Sequence, residues 1–150
     1  MSILNQLSIQ KLIHRIQQLE SNSKAKWGMM TVDEMLVHCT AGIQMGLGEI
    51  SSKIRTTPLR GRITKILFLY LLPFPKSTPA PPEINITKKL KIRSDFETAR
   101  ALLITEIKKL ATIPDNYLFP PHPIFHTLSK REWAKVTIKH LNHHLKQFGV

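Results

Sequence analysis

The C-terminal segment, residues 129–150 with the sequence SKREWAKVTIKHLNHHLKQFGV, constrains the fold more than any other part of the chain. Ser129 and Glu132, three residues apart, match a capping box, and Gly149 stands where a helix would end. The segment therefore predicts one amphipathic helix with both ends marked. Its apolar face consists of Ala134, Ile138, Leu141, Leu145 and Phe148.

Three histidines lie in this predicted helix. At the helical period, His140 and His144 fall at the rim of the apolar face, whereas His143 turns toward water. Side chains four residues apart stack with Cβ atoms about 5–6 Å from one another, a separation from which two imidazoles can bind one metal ion. The alternative for this pair is two partly buried histidines that form ordinary hydrogen bonds.

A second predicted helix repeats this arrangement. Thr31 and Glu34 match another capping box, and the helix is expected to end near residue 47. His38 lies at the rim of its apolar face, and Gly42, one turn later, leaves room for another helix. Glu34 has two possible roles, as the capping partner of Thr31 or as a hydrogen-bond acceptor for the His38 ring. Cys39 points into the core and is interpreted as a packing residue.

The remaining segments complete a helical pattern. Residues 62–72 (RITKILFLYLL) predict a short buried helix, and five prolines in residues 73–82 predict an extended crossover. Residues 88–93 are compatible with a short strand. Ser94 and Glu97 match a third capping box, which begins a helix from about residue 95 to 111. Residues 4–20 predict a core-facing helix with an apolar stripe of Leu4, Leu7, Ile9, Leu12, Ile13, Ile16 and Leu19.

The loop between the last two predicted helices, PDNYLFPPHPIFHTL, contains His122 and His126. Loops of this length in a compact domain are usually functional or cover an opening of the core. Both histidines are therefore candidates for the mouth of a pocket. The alternative is that they are ordinary loop histidines in contact with solvent.

Length and composition predict a single domain spanning residues 1–150, since 42% of the residues are hydrophobic. The N-terminus lacks the apolar core of a signal peptide, and the longest apolar run is much shorter than the ~20 residues that span a bilayer. Cys39 is the single cysteine, so no internal disulfide is possible. We therefore expect a cytoplasmic protein without a membrane partner.

The chain carries a formal net charge of +12, and residues 51–93 hold ten basic residues against one acid, Glu83. Such a segment attracts anions. It has three interpretations: a solvated basic face, a site for a small anionic molecule, or a nucleic-acid surface. Zinc-finger spacing and interleaved aromatic residues are both absent from the sequence, so we expect no specific nucleic-acid partner and only weak, salt-sensitive DNA affinity.

Three motifs carry a resemblance to a known family: WGMMTVDEMLVHC at residues 27–39, HPIFHTLSKREW at 122–133 and KHLNHHLKQFGV at 139–150. In this order they resemble the DinB-like superfamily, also described as YfiT-like metal-dependent hydrolases. The similarity is greatest to a branch that ends in His-x-x-His-His-x-x-Gln-Phe. That branch usually has glycine where this chain has His126, so the turn is either rebuilt here or lends an extra imidazole to the site.

The resemblance implies an all-α fold, a four-helix bundle with a long crossover and an additional short helix, and a homodimer. It also implies a divalent metal ion held by one histidine of the second helix and two of the last. The matching residues are His38, His140 and His144, the last two of which helical spacing selects independently.

Three imidazoles would leave one to three coordination positions for water or substrate, as in catalytic sites. Imidazole suits zinc, nickel, copper and iron, of which we expect zinc or nickel. Such an ion lowers the pKa of bound water or of a thiol. KHLNHH lacks the glutamate of a His-Glu-x-x-His metalloprotease. The resemblance implies several activities, since some members of the superfamily are similar to S-transferases that use a low-molecular-weight thiol and others to hydrolases or isomerases. We expect a metal-dependent enzyme that acts on a small molecule, and we favour transfer of a thiol onto an electrophile over hydrolysis. The alternative is a non-catalytic metal- or ligand-binding module.

Overall fold

The computed structural model describes residues 6–76, 78–85 and 95–150, and these residues are mostly helical. The helices are α1 (Gln6–Gln17), α2 (Val32–Gly46), α3 (Pro58–Lys65), α4 (Phe96–Ala111) and α5 (Lys130–Gln147). No strand occurs in these ranges, where one isolated bridge pairs His122 with His126. The predicted all-α class is confirmed, whereas the possible strand at residues 88–93 lies outside the described residues.

Four of the helices share one hydrophobic core. Helix α4 packs against α1 and α2, and α5 packs against the same two helices from another side. Each helix contributes side chains through one apolar stripe, as amphipathic helices do. The most deeply buried members are Ile16, Met35, Leu36, Leu103, Ile107, Leu141 and Leu145.

The predicted capping boxes of α2 and α5 are both confirmed. The Thr31 backbone N–H donates to Glu34 Oε2 at 2.9 Å, and the Ser129 N–H donates to Glu132 Oε2 at 2.8 Å. In return, each hydroxyl accepts a hydrogen bond from the backbone N–H of the glutamate. Helix α2 ends at Gly46, and Gly149 adopts φ +86° just beyond α5. These caps fix the ends of the two helices that carry the candidate metal ligands.

The predicted cap of α4 is wrong. Asp95 is the N-cap instead of Ser94, and its Oδ1 accepts a hydrogen bond from the Thr98 N–H at 3.0 Å. Aspartate and serine are comparable N-caps, so two adjacent candidates compete in the sequence. The helix therefore begins at Phe96, close to its expected position.

The predicted apolar stripe of α1 is partly wrong. Leu7 is 60% exposed, while Ile9, Leu12 and Ile16 are buried. Leu7 precedes Ile9 by two residues and therefore projects from the opposite side of the helix. Leu4 lies outside the described residues.

The helix expected to be buried at residues 62–72 is mostly exposed. It begins earlier, at Pro58, and α3 continues directly into a π-helical turn over Ile66–Leu71. Leu69 is buried, but Leu59 and Leu71 are 69% and 68% exposed. The segment packs on α5 and on the loop that precedes α5, so one line of side chains is covered although apolar residues occur all around it. Residues 73–76 and 78–82 contain no helix, as the prolines predict.

A search for membrane-crossing segments in the described ranges finds no helix of sufficient length and apolarity.

Candidate metal centre

Three imidazoles from α2 and α5 converge in the interior. His38 Nε2 lies 2.9 Å from His140 Nε2, and His144 Nε2 lies 3.1 Å from the same atom. The ligand atoms of the three side chains all lie within 4.8 Å of one another, and the described ranges contain no second cluster of this kind. The structure therefore brings together the three histidines selected from the sequence.

These separations fit a shared metal ion. With metal–nitrogen bonds of about 2.0–2.1 Å, neighbouring nitrogen ligands lie roughly 2.9–3.4 Å apart. Ordinary hydrogen bonding accounts for the cluster less well, because a neutral imidazole has one N–H. If His140 Nε2 carries its N–H, it can donate one hydrogen bond, either to His38 Nε2 or to His144 Nε2. The Nε2 atom that does not receive this hydrogen bond has no donor within the cluster. The donor set therefore suits a cation.

His38 is oriented by a backbone carbonyl. Its Nδ1 donates to the Ile84 oxygen at 2.9 Å, so the lone pair resides on Nε2, which faces the other rings. Ile84 follows the proline-rich crossover, and its side chain packs on Ala41 and Met45 of α2. The end of the crossover thus fixes the tautomer of His38. Of the two roles predicted for Glu34, the structure shows the cap of α2. The Ile84 carbonyl, and not the Glu34 carboxylate, accepts the hydrogen bond from the His38 ring.

His144 is oriented by a side chain that the sequence analysis did not select. Its Nδ1 donates to Gln147 Oε1 at 2.8 Å, and Gln147 Nε2 donates to the Trp27 carbonyl at 2.8 Å. Gly28 makes room for this amide, since a Cβ there would lie 2.8 Å from Gln147 Nε2, and its φ is +77°. Hydrogen bonds of this kind orient metal-binding imidazoles. Gln147 belongs to the C-terminal His-x-x-His-His-x-x-Gln-Phe motif, and this was the sequence feature that could have indicated its role.

His140 faces Gly42 across the contact between the two helices. A Cβ at Gly42 would lie 3.3 Å from His140 Cε1, so the absence of a side chain at residue 42 allows the ring to reach the cluster. The predicted role of Gly42 is confirmed.

Burial lowers the pKa of all three imidazoles. The pKa of His144 falls to about 3. The pKa of His140 is lowered well below its usual value by burial and by the neighbouring His38 and His144 rings. The pKa of His38 is also lowered by burial, although its bond to the Ile84 carbonyl opposes this. At neutral pH the cluster is therefore uncharged, which is the state that binds metal ions.

His143 and Cys39 lie outside the cluster, as predicted. His143 is half-buried, and its ring contacts Trp27 at 5.7 Å and the edge of His144 at 5.1 Å between centroids. Cys39 is buried, and burial raises the pKa of its thiol. Its Sγ lies 3.6 Å from Met35 Sδ, so this residue packs the core.

His122 is buried within its own loop. The ring stacks on Phe125 at 4.5 Å, and Nδ1 accepts hydrogen bonds from the backbone N–H groups of Ile124 and Phe125 at 3.1 and 3.2 Å. Burial lowers the pKa of His122 to about 4. These contacts hold the loop together, and the three-histidine cluster does not include this ring.

His126 preserves a turn that suits glycine. Its φ of 59° lies in the left-handed region, and its Nε2 donates to the Thr56 carbonyl at 2.7 Å. The ring packs on Gly61, where a Cβ would lie 2.4 Å from His126 Cδ2. The two alternatives for this residue were a rebuilt turn and an extra imidazole at the site. The structure places the imidazole on the α3 side of the loop and outside the cluster. A role for His122 or His126 at a pocket mouth stays a prediction.

The described part of the basic segment is largely exposed. Arg55 pairs with Glu83 at 2.6 Å, and Lys65 pairs with Glu132 at 3.0 Å. Lys53, Arg60 and Arg62 are exposed. Four of the ten basic residues lie outside the described ranges: Lys88, Lys89, Lys91 and Arg93.

Metal-free protein is expected to lose stability as the pH falls. The unfolded histidines titrate near 6.5, and their pKa values in the folded cluster are lower, so below about pH 6.5 the unfolded chain binds more protons. The free energy of unfolding should therefore be constant above about pH 7. It should fall by about 1.4 kcal/mol per pH unit for each such histidine below pH 6.5.

Urea unfolding between pH 7.5 and 5 measures this slope. His144→Phe should reduce it, whereas Gln10→Ala, which replaces an exposed residue of α1 that does not titrate, should leave it unchanged. Equal slopes in all three proteins would contradict the role of burial.

A family model described as protein of unknown function (DUF1569) matches residues 2–149, so the chain belongs to this family. Comparisons with curated proteins and with solved structures give no match.

Proposed function

We propose that this DUF1569 protein binds one divalent metal ion through His38, His140 and His144 and is a metal-dependent enzyme that acts on a small molecule. The observation that carries the proposal is the convergence of three Nε2 atoms at 2.9 and 3.1 Å. Two of the three rings have their Nδ1 hydrogen bonded to the protein, which directs the Nε2 lone pairs toward one point.

We further propose that α1, α2, α4 and α5 form the four-helix bundle of the DinB-like superfamily. Their shared core supports this assignment. In this assignment α3 is the additional short helix and residues 73–82 belong to the long crossover. We also predict that the chain forms a single domain, that the protein is a homodimer and that it is located in the cytoplasm.

The three imidazole ligands limit which metal ions the site can bind and which reactions it can support. Three neutral imidazoles suit zinc or nickel and leave coordination positions for a substrate. A bound divalent ion would supply Lewis acidity, which lowers the pKa of a coordinated thiol or water. His38, His140 and His144 would hold that ion, the first and last with tautomers fixed by their Nδ1 hydrogen bonds, and the burial of the cluster would limit access of bulk water.

Thiol transfer is favoured over hydrolysis. The cluster contains no carboxylate, and Glu34 is engaged in the cap of α2. Hydrolysis of the metalloprotease type needs a carboxylate base, and within the described residues no carboxylate belongs to the cluster. A free thiol has a pKa near 8.5, against about 15.7 for water, so a thiol needs less assistance to lose its proton. A low-molecular-weight thiol is therefore the proposed nucleophile, and an electrophilic small molecule is the acceptor.

The metal content of the purified protein tests the site. Protein prepared without chelators should contain close to one equivalent of zinc or nickel per chain by elemental analysis, and the ion should leave below about pH 6, since the ligands must be neutral. The double variant His38→Ala, His140→Ala should lose it. His143→Ala is the matched control on the same helix and should keep it. Unchanged metal content in the double variant would refute the assignment.

Gln147 should support the ion through His144. Gln147→Leu removes the acceptor of the His144 Nδ1–H, so metal affinity should fall by about 10–100-fold. Gln147→Glu keeps an acceptor oxygen and should retain more affinity than Gln147→Leu. Competition with a fluorescent chelator measures both, and Gln10→Leu on the exposed side of α1 serves as control. Equal affinities for Gln147→Leu and the control would contradict this role.

Turnover separates the enzyme from the alternative. Metal-loaded protein should consume thiol in the presence of an alkyl or epoxide electrophile, and chelator or the His38→Ala, His140→Ala variant should abolish the reaction. Product analysis by mass spectrometry distinguishes thiol adducts from hydrolysis products. If metal binds but neither product forms with a broad panel of thiols, the non-catalytic metal- or ligand-binding module becomes the better interpretation.

A further inference from the structure

A groove of about 570 Å³ runs along the outer side of α5. Its volume lies within the range of small-molecule sites, about 300–1,000 Å³. The lining combines three apolar side chains, Leu69, Phe74 and Ile138, with three lysines of α5, Lys135, Lys139 and Lys146. Lys139 Nζ lies 5.4 Å from the centroid of the Phe74 ring.

The positive charge of the groove is not neutralised by the described part of the protein. Neither Lys135, Lys139 nor Lys146 pairs with a carboxylate in residues 6–76, 78–85 and 95–150. Lys135 Nζ lies over the Tyr70 ring at 4.0 Å, and Lys139 Nζ donates to the carbonyls of Phe68 and Leu72. The lysines that line the groove therefore give it a positive charge, which an anionic molecule would complement.

The groove also borders the histidine cluster. His143 lines the groove, and its ring centroid lies 5.1 Å from that of His144. The three lysines and two of the cluster histidines, His140 and His144, belong to α5, so one rigid element fixes their separation. A molecule held in the groove would lie one side chain away from a candidate metal ligand.

We propose that this groove binds a small organic carboxylate with an apolar body, its carboxylate attracted by the positive charge of Lys135, Lys139 and Lys146 and its body lying against Leu69, Phe74 and Ile138. The lysines of α5, outside the basic segment of residues 51–93, thus define the substrate class. As a statement about substrate, the inference depends on the proposed function. As a statement about binding, it is independent of the metal ion.

Binding of 2-naphthoate to metal-free protein tests the inference. Calorimetry should show one site per chain, with at least tenfold weaker binding of the uncharged 2-naphthylmethanol. Lys135→Gln combined with Lys146→Gln should weaken 2-naphthoate binding at least tenfold and leave binding of the alcohol unchanged. These two lysines form no hydrogen bond within the described residues, so their replacement leaves the fold intact. Lys108→Gln on the exposed side of α4 is the matched control.

A second control concerns the exposed apolar surface of α3, to which an aromatic probe could adhere. Leu59→Ser combined with Ile63→Ser should leave 2-naphthoate binding unchanged. Equal affinity for acid and alcohol, or no effect of the double lysine replacement, would overturn the inference. Because metal-free protein is used, failure here is distinct from failure of the metal assignment, which elemental analysis reports separately.

Discussion

The contact between α2 and α5 is the interaction on which the histidine cluster depends. The helices approach where Gly42 faces His140, and a Cβ at residue 42 would lie 3.3 Å from that ring. On the core side, Leu36 and Leu141 are almost fully buried, which sets the rotation of each helix about its own axis. The imidazoles meet because the hydrophobic core holds both helices in this rotation, so the geometry of the cluster is as rigid as the core itself.

Burial has two effects on the cluster that act together. It lowers the pKa values of the three imidazoles, which keeps them neutral, and it leaves few partners for their ring nitrogens. The partners that exist come from distant parts of the chain, namely the Ile84 carbonyl after the crossover and Gln147 at the end of α5. Both bind Nδ1, so Nε2 remains free on each of these rings. The same surroundings therefore select the charge state and the tautomer.

Local patterns in the sequence were sufficient to predict the ligand-bearing helices. Capping boxes fixed the starts of α2 and α5, and the helical period selected His140 and His144 over His143 because these features depend on residues within two turns. The Ile84 carbonyl was not predictable in this way, since a backbone group has no sequence signature. Its position depends on the path of the crossover. The exposure of Leu7 and of the apolar side chains of α3 was not predictable from local sequence either. It depends on which faces the neighbouring helices leave uncovered.

The sequence separation within the cluster has a consequence for folding kinetics. His38 and His140 are 102 residues apart, and His38 bonds to a carbonyl 46 residues away. Closing such loops is entropically unfavourable, and α5 alone contributes two of the three imidazoles. The complete site exists only after both helices have docked, so an ion binds after the transition state for folding if the contact between α2 and α5 also forms after it. Such an ion would slow unfolding while leaving the rate of folding nearly unchanged.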